Sequence, residues 1–179
     1  MAKARDIPGI DPDVPYALAA ARVVAVRSDE VVEHARGVLD VGEIERVHDM
    51  RVATRRLRAA LEVFRPCFPQ DEFKDALREV KAIADALGER RDRDVTIATL
   101  EDFGDALAIP DRPGIDSLVA KLRTEQEEAN VDLAAFVDET RLESLRERLD
   151  SLIAGAERTV DVAPALAPPS INGGDPERG

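Results

Sequence analysis

Phe73, Leu77, Val80, Ala84 and Leu87 recur at spacings of three and four, the period of a helix that buries one face. Similar periodicity runs from Tyr16 to about Leu39, from Ile44 to Phe64, from about Ile115 to Val137 and from Thr140 to Ala156. Breakers separate these stretches. Pro15 opens the first, Gly42 marks a turn before the second, and Pro66 and Pro69 stop it. Asp71 is the expected N-cap of the next helix and Gly88 its expected stop. A short helix would follow, with Asp92 and Asp94 near its start, where the macrodipole favours acids, and would fade near Gly104. Pro110 and Pro113 then make a loop. The pattern predicts an all-α, antiparallel bundle of about six helices over residues 16–157. Residues 1–15, with Pro8, Gly9, Pro12 and Pro15, read as a flexible lead, and residues 158–179, rich in Pro and Gly, as a disordered tail.

Composition agrees with one helical domain. The chain has 179 residues, 44% of them hydrophobic and only 3% aromatic, so the core must come from Leu, Val, Ile and Ala. A single cysteine, Cys67, excludes an internal disulfide, and two histidines leave no Cys/His cluster for zinc. No metal or cofactor is expected, and the thiol usage suits a reduced, cytoplasmic setting. No apolar run reaches the roughly 18 residues of a membrane span.

Net charge first argues against an anionic partner, because −12 on the whole chain repels phosphate. The distribution reverses that inference. Between Arg46 and Arg93 stand 12 basic residues and nine acids, so this stretch is positive within an acidic chain. At about 100° per residue, His48, Arg51, Arg55 and Arg58 share an arc of roughly 80°. Val47, Met50, Leu57, Leu61 and Phe64 flank the arc on one side, and Val52, Ala59 and Val63 on the other. A stripe between two packing surfaces is expected to line a groove between helices. Lys74, Arg78 and Lys81 flank the apolar stripe of the next helix, and Arg90, Arg91 and Arg93 follow. Arginine suits phosphate because its planar fork donates two parallel hydrogen bonds and never loses its charge. No facing carboxylate pair, activated nucleophile or Gly-rich phosphate loop accompanies the stripe, so binding without catalysis is the expectation.

These residues resemble the CHAD domains, the conserved histidine α-helical domains, which bind inorganic polyphosphate. One motif is V-H-D-M-R-V-A-T-R-R-L-R-A-A-L-E-V-F from Val47 to Phe64, similar to the family's His-containing helix. The other is V-K-A-I-A-D-A-L-G-E-R-R-D-R-D-V from Val80 to Val95, similar to its Lys-containing helix and the following L-G-x-x-R-D-x-D-V. The resemblance spans about Tyr16 to Ala156. It implies polyphosphate contacts at His48, Arg51, Arg55, Arg56, Arg58, Lys81 and Arg91, with Asp92 and Asp94 as ordering partners; Lys74, Arg78 and Arg90, by their place beside the stripe, are candidate peripheral contacts. It also implies two helical halves, each with a His helix, whereas this chain carries only the first; His34 does not resemble the second motif. Pairing of two copies into a symmetric homodimer would restore a two-sided site.

A basic helix stripe is ordinarily a solvated face paired with nearby acids, and a lone histidine is ordinarily structural. His34 keeps that reading, and Cys67 reads as a small hydrophobe. The rival function is a histidine phosphotransfer domain with His48 as phospho-acceptor, although Arg51 and Arg55 crowd the place where a docking partner needs room. Nucleic-acid binding is disfavoured by the net charge. The expected setting is cytoplasmic, in association with polyphosphate granules.

Overall fold

The computed structural model describes residues 3–162. Within them the chain forms five α-helices: α1 (Tyr16–Ala35), α2 (Ile44–Val63), α3 (Gln70–Asp105), α4 (Pro113–Val137) and α5 (Glu139–Val162). Short 3₁₀ turns at Arg65–Cys67 and Ile109–Asp111 bridge the Pro-containing links.

The boundaries have local causes. α1 stops at Ala35, short of Leu39, because Gly37 adopts a left-handed φ of 71° and turns Val38 back into the core. A Cβ at Gly37 would meet the Arg46 guanidinium at 3.3 Å. α3 begins at Gln70 with Pro69 at its N-cap, so Asp71 lies in the first turn rather than at the cap. The expected break at Gly88 does not occur. Gly88 has no positive φ, which a glycine C-cap requires, and α3 runs through it for 36 residues, merging the expected third and fourth helices. Asp138 separates α4 from α5: its Oδ1 accepts the backbone N–H groups of Thr140 at 3.0 Å and Arg141 at 3.3 Å. α5 extends past Ala156 through Val162, and the rest of the expected tail lies outside the described residues.

Cross-links fix the directions. The Tyr16 hydroxyl donates to the carbonyl of Val63, so α1 and α2 run antiparallel. Arg91 reaches Ile44 while Lys81 reaches Glu62, so α2 and α3 do as well. Gln126 donates to Asp94 and Arg123 pairs with Glu101, which sets α4 antiparallel to the second half of α3. The core gathers Val24 and Val31 of α1, Met50, Leu57 and Leu61 of α2, Val80, Ile83 and Leu87 of α3, and Leu149 and Leu152 of α5. Ile97, Val119 and Ala129 are buried outside that cluster, between α3 and α4. The molecule is therefore a four-helix body with a two-helix arm built on the second half of α3.

The described part of the lead, residues 3–15, carries no helix and lies against α1. The Arg5 amide donates to Glu30 Oε1 at 2.7 Å, the Arg5 guanidinium pairs with Glu33, and Arg22 donates to the Gly9 carbonyl.

Candidate functional site

α2 lies between α1 and α3, with Val47, Met50, Ala53, Leu57 and Leu61 fully buried. Once those positions face inward, helical geometry leaves Arg51, Arg55 and Arg58 along the edge beside α3. The spacing from residue 51 to residue 58 is about 10 Å along the axis. Arg51 and Arg55 are exposed, and neither makes an ion pair among the described residues. Arg58 donates to Glu62 Oε1 at 3.0 Å, and Lys81 of α3 approaches the same oxygen at 3.9 Å. Arg91 donates to the carbonyl of Ile44 at 3.0 Å and pairs with Glu45 at 3.3 Å, tying α3 to the start of α2. The structure thus brings together Arg51, Arg55, Arg58, Lys81 and Arg91 against Glu45 and Glu62, a local surplus of three positive charges in a chain of net charge −12. Gly88 falls on the same side of α3, two turns after Lys81, and the space a Cβ would take there is open.

The groove differs from the expectation on one flank. Val47, Met50, Leu57 and Leu61 are core, but Ala59 and Val63 are exposed, so the stripe borders the helix pair on one side and open surface on the other. His48 is half-buried at the head of the stripe. Its ring lies within 4.8 Å of carboxylates of Glu45 and Asp49, and Glu45 already holds Arg91. Cys/His spacing gives no sign of this i, i+3, i+4 grouping, because its other two members are carboxylates.

Not every expected contact joins this face. Arg56 is turned toward α1, where its charge acts on Glu30, which is 2% exposed. Burial raises the Glu30 carboxyl, but the Arg5 amide, the Arg27 hydrogen bond and the charges of Arg27 and Arg56 outweigh it and leave it below the ordinary 4.5. Lys74 and Arg78 are exposed on α3 and pair with Asp71 and Asp75 one turn earlier. Arg90 corrects the expectation outright: it is 0% exposed, donating from Nε to Asp94 Oδ1 at 2.9 Å and from Nη1 to Asn130. It is a core cation between α3 and α4, and no polymer on the α2 side can reach it. Asp94, expected at a helix start, is likewise buried in the middle of α3 and orders Arg90, while Asp92 is exposed.

Cys67 is half-buried against the core, and burial raises its thiol above the ordinary value. His34 sits in the last turn of α1. No helix among the described residues is long and apolar enough to cross a membrane.

No curated protein and no solved structure matches the chain. The family model described as the CHAD domain does match, over residues 22–172, which takes in both motifs and the whole cationic face. With that span covering most of its 179 residues, the chain belongs to the CHAD domain family.

Proposed function

We propose that the cationic face between α2 and α3 binds inorganic polyphosphate, without catalysis and without a metal or cofactor. CHAD domains are associated with polyphosphate binding in general. The observation that carries the reading for this chain is the exposed pair Arg51 and Arg55, without carboxylate partners among the described residues and continuous with Arg58 and Lys81, which share the single carboxylate of Glu62. A surface arginine normally finds a nearby acid in so acidic a chain; here Arg51 and Arg55 make no ion pair among the described residues. A linear polyanion gains from several such cations at once, since after the first contact each further phosphate binds at high effective concentration. Arg51, Arg55, Arg58 and Lys81 would grip the polymer directly. Arg91 would hold the α2–α3 geometry and add its charge, and His48 would close the row.

Pairing of two copies belongs to the same proposal. Two chains of net charge −12 repel, and a shared polyanion on the cationic faces offsets that repulsion locally. The setting is the cytoplasm.

Titration of the full chain with defined-length polyphosphate, orthophosphate and DNA of equal charge tests the proposal. Polyphosphate is expected to bind far more tightly than orthophosphate, and more tightly than DNA. Equal affinity for all three would overturn the polymer face, and phosphoryl transfer to His48 from a response-regulator partner would replace it with the phosphotransfer reading.

A further inference from the structure

Farther round α3 from the cationic face, and bordering it at Asp85 one turn after Lys81, α3 and α4 line a groove of about 1040 Å³. α3 contributes Ala82, Asp85, Ala86, Glu89 and Arg93, spaced i, i+3, i+4, i+7 and i+11. α4 contributes Glu125, Glu128, Ala129, Asp132, Ala135 and Phe136 at the matching intervals i, i+3, i+4, i+7, i+10 and i+11. Such spacing is that of a helix-packing seam, in which small residues let a third helix approach closely. Among the described residues the helices other than α3 and α4 reach it only at one end, where Arg141 of α5 lies 5.8 Å from the centre of the Phe136 ring. The seam leaves Val131 72% exposed at its edge and Phe136 half-buried.

The rim is acidic. Asp85, Glu128 and Asp132 make no ion pair among the described residues, while Arg93 is bound to Glu89, Lys121 approaches Glu125, and Arg141 lies against Phe136 at one end. Carboxylates bordering an apolar floor concentrate negative potential over it. The occupant that satisfies both floor and rim is an amphipathic helix with an aliphatic stripe flanked by Lys and Arg. A second copy of this chain is disfavoured, because it would bring 12 further negative charges.

We propose that the α3–α4 groove docks a basic amphipathic helix of a partner protein, beside the cationic face rather than on it. The domain would then hold a polyanion and a cationic protein segment on neighbouring faces of α3. The docking stands whether or not the cationic face binds polyphosphate.

The test uses the full chain and a labelled peptide of about 18 residues, roughly the length of five helical turns. It carries Leu at i, i+3, i+4 and i+7 between Lys and Arg, and a counterpart carries Glu in their place. Fluorescence anisotropy is expected to show binding of the basic peptide and none of the acidic one. Asp85→Lys with Glu128→Lys should weaken binding by more than about ten-fold through lost charge complementarity. Ala135→Gln, at an exposed position where the fold is safe, fills the floor without changing charge and should weaken it about five-fold by lost fit. Arg51→Ala with Arg55→Ala, on the other face, should leave it unchanged. Circular dichroism confirms that each variant is folded. A basic peptide held equally well by the wild type and Ala135→Gln would show general attraction to an acidic chain and overturn the proposal. Sedimentation showing dimers that dissociate on Ala135→Gln would overturn it too, assigning the groove to a second copy.

Discussion

Arg90 and Arg91 are neighbours in sequence and lie about 100° apart on α3, and the fold uses them in opposite ways. Arg91 crosses to the first turn of α2 and joins a surface row in which cations outnumber carboxylates. Arg90 is wholly buried and its charge is answered inside the protein by Asp94, with Asn130 accepting a further hydrogen bond. The same contrast separates the flanks of α3 as a whole: toward α2 positive charge is left available to a ligand, whereas toward α4 it is neutralised within the arm. What decides the role of an arginine here is its angle on the helix, since residue type and local sequence are nearly the same.

The largest expected effect tests the buried member. Arg90→Ala leaves Asp94 buried without its cation and should cost about 3–5 kcal/mol, read by urea denaturation. Replacing both, Arg90→Met with Asp94→Leu, should recover most of that loss. The affinity of the folded Arg90→Ala protein for polyphosphate should stay near that of the wild type. A cost below about 1 kcal/mol would mean that Arg90 is not the structural cation its burial implies.

A smaller effect concerns Arg56, which belongs with Arg90 rather than with Arg55. Glu30 is held below the ordinary 4.5 in the folded chain despite its burial, with Arg56 among the causes. A carboxyl with a depressed folded value contributes stability that is fully present above its unfolded value and lost as pH falls through the folded one. The melting temperature should therefore decline as pH drops below 4.5, and Glu30→Gln should flatten that decline while lowering stability at neutral pH. An unchanged acid limb in Glu30→Gln would remove this carboxylate, and Arg56 with it, from the structural account.

The long, strongly periodic elements were legible because buried positions on α1, α2, α4 and α5 repeat at helical spacing. The stripe of Arg51, Arg55 and Arg58 was legible for the same reason: once Val47, Met50 and Leu57 face inward, its direction follows. Gly88 misled, since glycine permits a left-handed stop but does not impose one, and burial of Leu87 in the core and of Arg90 and Asp94 against α4 offsets its cost of about 1 kcal/mol. The roles of Arg56 and Arg90 were not legible. Motif likeness groups residues along the chain, whereas burial depends on Glu30, Gln126 and Asn130 arriving from other helices. The acidic groove was hidden as well, because its two stripes lie some 40 residues apart and neither is unusual alone.

The central claim, that unpaired cations on the α2 side of α3 hold a polyanion, is tested most directly by the salt dependence of polyphosphate binding in wild type and Arg51→Ala/Arg55→Ala. Each phosphate contact releases counterions, so log K should fall steeply with log salt for the wild type, and losing two contacts should make the slope shallower by between one and two units, at an affinity cost of about 100-fold at low salt. The account expects that shallower line. A double variant whose slope and affinity match the wild type would contradict it and place the polymer, if bound at all, elsewhere on the molecule.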